Sequence, residues 1–180
     1  VNIGTNEGMA QIADIMLPDF YTARPVKGTY ETIEYDLEKA KEYLAKSGYN
    51  GEEVKIVTVS GTKAEMACQI VQGQLIALGI NATLAACDAP TYNDYINNSG
   101  DYCLNLRASS SSLMDADAMY YTYAKDNLSV NFDRGLGEEL DNKLTELVHA
   151  GRGEPDTEKR VAIYTEAVNL VAENALGVAL

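Results

Sequence analysis

Between Glu53 and Asp88 the chain switches between two hydrophobic periods. A run rich in β-branched residues comes first and is typical of a strand covered on both faces: Val54, Ile56, Val57 and Val59. Apolar residues then recur at steps of three and four and predict a helix lying on a sheet: Met66, Ile70, Val71, Leu75 and Leu78. A second alternating segment, Ala82–Cys87, predicts another strand. Because a helix connects the two strands, we expect parallel pairing and an α/β fold, with a mainly parallel sheet flanked by helices.

The boundaries of this central helix are marked by residues with specific capping chemistry. Thr62 stands three residues before Glu65, so that hydroxyl and carboxylate can satisfy the free amides of the first turn. Gly79 suits the left-handed residue after a helix, and Ile80 beyond it can contact Leu75. The sequence therefore predicts both helix ends.

Similar patterns predict the remaining elements. Further helices are expected over Asn6–Leu17, from the Asp36 cap to Gly48, over Ala89–Asn98, after Asp115 or Asp117, from Leu136 to Gly151, and from the Asp156 cap to Ala175. Tyr102–Leu106 alternates as a third strand, and Gly177–Leu180 begins a final strand. The apolar last residues also lead us to expect a piece of a longer protein.

Composition narrows the function classes. The chain has 180 residues, of which 46% are hydrophobic, enough for a core without metals or disulfides. It carries 14 Lys+Arg against 27 Asp+Glu, a net charge of −13. This balance argues against nucleic acid or an anionic membrane as a partner, since both attract positive charge. No stretch resembles a membrane span, and a targeting segment before Val1 remains compatible with the sequence.

The three cysteines, Cys68, Cys87 and Cys103, lack the spacing of a zinc site. An odd count also argues against a full disulfide framework. We expect buried free thiols, with a Cys87–Cys103 bridge between neighbouring strands as the alternative.

Candidate binding residues lie in loops after the predicted strands, because ligands of open parallel sheets sit beyond the carboxyl ends of the strands. Three loops qualify: Ser60–Thr62, Asp88–Thr91 and Arg107–Leu113. The third is the best candidate, since an arginine can bind a carboxylate bidentately and four serines offer hydroxyls. A solvated flexible loop is the competing interpretation. The predicted ligand-binding residues are Arg107, Ser109, Ser110, Ser111 and Ser112.

Other polar residues are better explained by structure. Asp115 and Asp117 are expected to cap a helix rather than contact a ligand. His149 is the only histidine and suits a helix terminus better than a metal site. Two of the three tyrosines at positions 120, 121 and 123 are expected in the core. The turn Ser60–Thr62 lacks the glycines and the lysine of a phosphate loop, so it is a weak anion site.

The sequence offers little support for catalysis. A serine hydrolase of the α/β class needs a nucleophile elbow GxSxG, which is absent, and the single histidine lies in the helical tail. A nucleotide module is disfavoured by the absence of GxGxxG, whereas a chelated metal needs few direct ligands and stays an alternative. We predict no catalytic residue, no protein-bound metal and no cofactor.

Five linked segments give the chain a family resemblance that extends from about Gly8 to Leu180. Together they resemble the family 5 extracellular solute-binding proteins, the peptide and nickel receptors of bacterial ABC importers. Most of their residues serve helix caps and packing. The segments are YDLEKAKEYLAKSGY, IVQGQLIALGINATLAACD, YNDYINNSGDYCLNL, LDNKLTELVHAG and DTEKRVAIYTEAVNLVAENA.

The resemblance implies a periplasmic-binding-protein-like lobe of type II, with residues 1–180 forming the C-terminal lobe and the N-terminal lobe absent. Family members close two lobes around a solute, so an isolated lobe should bind weakly or not at all. The implied solute is an oligopeptide or dipeptide, with nickel, another metal chelate or another small solute as the alternative. Permease subunits are the implied membrane partners. The location is extracytoplasmic, either periplasmic or lipid-anchored at the cell surface, and we expect the protein to be a monomer.

The resemblance also places the loop after the third strand in the binding cleft. Peptide-binding members commonly carry an aspartate there for the peptide amino terminus, together with a tryptophan. Here Ser109–Ser112 occupy that stretch, and the chain has no tryptophan. This departure argues against the usual pocket for the amino terminus of a bound peptide.

Overall fold

The computed structural model describes residues 13–106, 113–127 and 137–180. The chain divides into two compact units. Unit 1 comprises residues 1–11 and 34–109, and unit 2 comprises residues 12–33 and 110–180. Unit 1 contains the sheet, and unit 2 is built from helices and connecting loops.

Unit 1 is organised around a three-stranded parallel sheet. β1 (Val54–Val59) pairs along its whole length with β2 (Ala82–Cys87). β3 (Leu104–Asn105) pairs in parallel with the other side of β1, giving the order β2-β1-β3. The α/β fold class, with a parallel sheet flanked by helices, is confirmed. β3 is shorter than predicted because Tyr102 turns back, its amide donating to the Gly100 carbonyl at 2.9 Å.

The helices of unit 1 begin where side chains can accept the free amides of the first turn. α1 (Leu37–Lys46) begins after Asp36, and α2 (Lys63–Ala77) begins after Thr62, as predicted. α3 (Ala89–Asp94) begins after Asp88 and continues as a π-helical turn, Tyr95–Ser99. At the end of α2 the Ile80 amide donates to the Leu75 carbonyl at 3.0 Å, and Gly79 has a φ of 89°, which confirms the predicted ending.

The core of unit 1 is small. One cluster buries Ile56, Cys68 and Ala82, with partly buried apolar residues packed around them. Four more apolar residues of the unit are buried outside that cluster: Val57, Ala67, Tyr92 and Ile96. The predicted stripe of α2 was wrong at Met66, whose side chain is 48% exposed. Cys68, Val71 and Leu75, which follow one another at steps of three and four, form the inner face. α1 has no buried residue.

Unit 2 is built from helices. α4 (Ala116–Tyr120) leads into a 3₁₀ turn (Tyr121–Tyr123), and two long helices follow, α5 (Glu138–Gly153) and α6 (Thr157–Glu173). Their core combines aromatic and aliphatic residues and includes Leu17, Tyr120, Leu144, Tyr164 and Val168. Asp115 and Asp156 accept amides at the starts of α4 and α6, as predicted.

Two terminal predictions do not hold in the described residues. The described end of the predicted helix Asn6–Leu17, residues 13–17, is not helical, and residues 14–17 are bends, since Asp14 accepts the Ile15 amide at 3.0 Å and turns towards Arg24. Residues 177–180 form no strand. The remainder of the first helix lies outside the described residues.

The alternative of a Cys87–Cys103 bridge is excluded by the sheet. All three cysteines are free. β2 and β3 lie on opposite sides of β1, which separates them by about 10 Å, beyond the 7 Å Cα limit for a disulfide. Cys87 also pairs with Val59, whereas the Cys103 amide donates to Lys55 near the other end of β1. Only Cys68 is fully buried, so the prediction of buried thiols holds for one of the three.

Across the described ranges, no helix has the length and apolarity needed to cross a membrane. The same residues contain no cluster of three or more histidine, cysteine, aspartate or glutamate side chains suited to a metal ion.

Candidate functional site

The predicted ligand-binding residues Arg107, Ser109, Ser110, Ser111 and Ser112 lie outside the described residues. Their assignment stays a prediction. The structure does describe the residues on either side of this segment and the two other loops at the carboxyl edge of the sheet.

The last residue before the segment, Leu106, is held at that edge. Its amide donates to the Val57 carbonyl at 3.4 Å. Its carbonyl accepts a hydrogen bond from the Thr58 hydroxyl at 3.1 Å. Next to it, the Tyr92 hydroxyl lies 3.4 Å from Asn105 Oδ1 and ties α3 to β3. Leu106, which follows β3, therefore lies beside the carboxyl-terminal half of β1, the central strand of the sheet.

In the turn after β1, the polar groups form hydrogen bonds with neighbouring residues of the chain. The Gly61 amide donates to Glu65 Oε2 at 2.6 Å, and the Thr62 hydroxyl donates to the Val59 carbonyl at 2.7 Å. Glu65 therefore reaches one residue further back than the predicted capping box, in which it would meet Thr62. A carboxylate from the same chain already occupies this helix terminus, which weakens the case for an anion site here.

In the turn after β2, the polar groups are also hydrogen bonded to neighbouring residues. Asp88 Oδ1 accepts the Thr91 amide at 2.9 Å. Hydrogen bonds from the side chain and backbone of Thr91 lower the pKa of Asp88. Beside it, burial raises the pKa of Cys87, so the thiol form is favoured and nucleophilic reactivity is disfavoured. Asp88 acts as a helix cap in this arrangement.

On the far side of the segment, Asp115 is fixed within unit 2. Arg160 donates to both its carboxylate oxygens, at 2.7 and 2.6 Å, and the Asp117 amide donates at 2.9 Å. Burial acts to raise the pKa of Asp115, but these hydrogen bonds outweigh it and hold the pKa below 3.8. A carboxylate with these three hydrogen bonds stabilises the local structure, as the sequence predicted.

Asp117 has equally defined partners. Arg152 donates to its carboxylate at 3.0–3.2 Å and stacks on the Tyr121 ring at 3.9 Å from the centroid. The Tyr164 hydroxyl lies 3.3 Å from Asp117 Oδ1. The predicted capping role therefore belongs to Asp115, and Asp117 forms an ion pair.

The tyrosine prediction is confirmed. Tyr120 and Tyr123 are buried in the core of unit 2, whereas Tyr121 is only partly buried and lies under Arg152. Burial strongly raises the pKa of Tyr120 and of Tyr164, which keeps both phenols neutral.

His149 lies in α5, and its Nε2 is 3.1 Å from Asp126. Within the described part of the chain, no serine, threonine or cysteine is hydrogen bonded to this imidazole. A nucleophile activated by histidine is therefore not assembled in those residues.

Sequence reasoning missed one polar cluster in unit 2. Arg24 donates to Asp14 Oδ1 at 2.6 Å and to the Leu17 carbonyl at 3.0 Å, while the Tyr30 hydroxyl donates to Asp14 Oδ2 at 2.6 Å. Burial acts to raise the pKa of Asp14, and the hydrogen bond from Tyr30 with the charge of Arg24 brings it below 3.8. The available clue was the long polar stretch Asp19–Glu34, which contains Arg24 and Tyr30, because long loops often pack across another element.

The family is decided by a sequence comparison. The model of "Bacterial extracellular solute-binding proteins, family 5 Middle" matches residues 5–129. The chain belongs to this family. No curated protein sequence matches this family 5 chain.

Solved structures of substrate-binding proteins share the fold. NikA from Brucella suis, in complex with Fe(III)-EDTA, has a TM-score of 0.83 at 15% identity, over 99% of this chain and 38% of NikA. DppA from Helicobacter pylori, in complex with the peptide STSA, has a TM-score of 0.78 at 22% identity, over 99% and 35%. AgaA from A. tumefaciens R10, in complex with agropinic acid, has a TM-score of 0.77 at 25% identity, over 99% and 36%. The family 5 chain thus spans little more than a third of the length of these proteins.

Proposed function

We infer that the full-length protein containing this chain is the solute-binding component of an ABC importer. The family match over residues 5–129 carries this proposal. In it the chain supplies the C-terminal lobe, and a second lobe completes a cleft in which the solute is held. The protein binds its solute and delivers it to permease subunits, with no chemical step of its own. It works outside the cytoplasmic membrane, in a periplasm or on a lipid anchor, as a monomer.

The proposed solute is an oligopeptide or a dipeptide. Support comes from DppA, whose structure contains the peptide STSA, and from AppA of Clostridium difficile, described as a putative peptide binding protein. In this proposal Arg107 binds a solute carboxylate through two hydrogen bonds, and Ser109–Ser112 offer hydroxyls to the peptide backbone. The net charge of −13 makes a local arginine more important for any carboxylate, because the rest of the surface repels anions.

A metal chelate or another small solute is the second candidate. The NikA structure contains Fe(III)-EDTA and the AgaA structure contains agropinic acid, so related folds hold solutes that are not peptides. The chain also lacks tryptophan. The solutes of these related structures and the absence of tryptophan favour a solute that does not need to stack against a tryptophan side chain.

The test is a thermal-shift screen of the full-length protein against peptide pools, amino acids, sugars and chelated nickel or iron. A ligand that binds only the folded state stabilises it by about 2.7 kcal/mol at a hundredfold excess over Kd. We expect a peptide pool to raise the melting temperature and Arg107→Ala to abolish the shift. Arg107→Lys keeps the charge without the bidentate geometry, and should retain only part of the shift.

The other outcomes separate the two candidates. A shift with a chelate or a sugar alone would show that the peptide assignment is wrong. A peptide shift that survives Arg107→Ala would reject the site residues and keep the solute class. No shift with any compound would contradict the receptor function.

A further inference from the structure

Asn50 and Gly51 lie in the connection between α1 and β1. Both residues are exposed, and Gly51 has a φ of 96°, a backbone conformation that favours glycine. The pair Asn-Gly occurs once in the sequence. Asparagine is a thermolabile residue, and a glycine after it leaves the next backbone nitrogen without a Cβ to shield it. The sequence and the exposure of this turn therefore favour a reaction between the two residues.

The side chain of Asn50 is unengaged in the described part of the chain. Its backbone amide donates to Glu52 Oε2 at 2.8 Å, but no hydrogen bond involves its side-chain amide. Asn93 also lacks a side-chain hydrogen bond among these residues, yet it lies in α3 and precedes Asp94, so the backbone nitrogen that follows it belongs to a helix. Asn50 therefore combines an unengaged amide with an unshielded backbone nitrogen.

We propose that Asn50 is a site of spontaneous deamidation. The Gly51 nitrogen attacks the side-chain carbonyl carbon of Asn50 and forms a C–N bond. The bond from that carbon to the side-chain nitrogen breaks, and ammonia leaves with the proton of the Gly51 amide. Solvent water then opens the cyclic imide and gives aspartate or isoaspartate, depending on which carbonyl it attacks. The inference is independent of the proposed function.

The reaction would occur where two turns of the sheet are tied together. The Gly51 carbonyl accepts Asn81 Nδ2 at 3.3 Å. The Tyr49 hydroxyl accepts the Asn81 backbone amide at 2.7 Å and donates to the Glu52 carbonyl at 2.8 Å. At the start of β1, the Val54 amide donates to the Asn81 carbonyl at 2.9 Å. Isoaspartate routes the backbone through the former side chain and lengthens it, which displaces these partners and loosens the amino-terminal edge of the sheet.

Aspartate, the other product, changes only the charge. The hydrogen bond from the Asn50 amide, together with that of its own amide, lowers the pKa of Glu52, so this neighbour is ionised at neutral pH. A carboxylate at position 50 therefore meets a like charge. Both side chains are exposed, and solvent and salt weaken the repulsion between them. Aspartate should therefore disturb the turn less than isoaspartate does.

The test ages the full-length protein at neutral and at mildly alkaline pH. Peptide mapping by mass spectrometry measures the conversion of Asn50, with Asn81 and Asn93 as references in the same protein. Hydrogen exchange is measured on peptides covering residues 49–54 and 78–84, with α6 as a remote reference. Asn50→Gln is the matched control, since it keeps the amide but would have to form a larger ring. Asn50→Asp supplies the charge with a normal backbone.

We expect Asn50 to convert about tenfold faster than Asn81 or Asn93. The conversion should be faster at alkaline pH, because the attacking Gly51 nitrogen must lose its proton. Exchange in the aged wild type should rise about tenfold over residues 49–54 and 78–84. It should rise less in Asn50→Asp, and it should stay unchanged in aged Asn50→Gln and in α6.

The contrary outcomes separate the reaction from its consequence. Conversion of Asn50 that is no faster than that of Asn93 would overturn the deamidation site. Conversion without faster exchange would overturn the loosening of the sheet edge, and so would equally fast exchange in aged Asn50→Gln. An equal rise in Asn50→Asp would show that charge, not the longer backbone, causes the loosening, and would overturn the role given to isoaspartate.

Discussion

The two units bury their residues in different ways. Among the described residues of unit 1, the apolar cluster has three buried members, four more apolar residues are buried outside it, and α1 has no buried residue. The described residues of unit 2 include sixteen buried in one cluster, among them the fully enclosed Leu144 and Tyr164, and partly buried arginine–aspartate pairs join its segments. The difference indicates that side-chain packing contributes more to the stability of unit 2 than to that of unit 1. Substitutions of the same kind should therefore have unequal effects in the two units.

The largest difference is expected for leucine truncation. Leu144 is completely buried, so Leu144→Ala should lower the free energy of unfolding of unit 2 by about 3 kcal/mol through lost burial and a cavity. Leu37 of α1 is 40% exposed, and Leu37→Ala should cost less than about 1 kcal/mol. Hydrogen exchange of α6 and of β1 in the full-length protein would report the two units separately. A similar decrease in the free energy of unfolding for both variants would contradict the proposed difference between the two units.

A smaller effect is expected from the ion pair of Asp115 and Arg160, whose side chains are 25% and 17% exposed. Arg160→Leu leaves a partly buried carboxylate without its main partner and should cost about 2 kcal/mol at neutral pH. Since the folded-state pKa of Asp115 is lowered, its stabilisation is complete above the unfolded value of 3.8 and disappears as pH falls through the folded value.

Urea unfolding at pH 7 and at about pH 3 would check this pH dependence. The difference between the wild type and Arg160→Leu should be smaller at the lower pH. Lys55→Met, which breaks the pair with the exposed Asp101 in unit 1, is the control and should change the urea midpoint little at either pH. A cost of Arg160→Leu that is independent of pH would show that packing, not charge, dominates there.

The smallest effects, and ones of opposite sign, are expected at two helical glycines. A Cβ at Gly151 would lie 2.7 Å from the ring of buried Tyr164, so Gly151→Ala should destabilise α5 by about 1 kcal/mol. A Cβ at Gly73 of α2 meets nothing within 4 Å, so Gly73→Ala should stabilise that helix by about 0.5–1 kcal/mol. Thermal unfolding of the two variants would test this, and a shift of the same sign in both would contradict it.

The sequence predicts local features better than distant contacts. The caps at Asp36, Thr62 and Asp156 lie where expected, because a cap depends on three or four neighbouring residues. The parallel pairing of β1 and β2 is equally predictable from one connecting helix. By contrast, the partner of Asp115 lies 45 residues away at Arg160, and no local pattern indicates it.

Errors in the prediction have a similar origin. The Cys87–Cys103 alternative assumed neighbouring strands, whereas the order of strands is a tertiary property. Tyr102–Leu106 has the alternation of a strand, but the turn at Gly100 limits the pairing to two residues. For the candidate site, sequence locates the segment after β3, and the described neighbours show how Leu106 and Asp115 are held. The roles of Arg107 and the four serines depend on a solute and remain predictions.

The contact between Glu65 and the Gly61 amide bears on anion binding at the carboxyl edge of the sheet. A tethered carboxylate acts at an effective concentration on the order of millimolar or higher. A dissolved anion must displace this internal competitor before it reaches the first turn of α2. The internal carboxylate therefore disfavours binding of a dissolved anion at the first turn of α2.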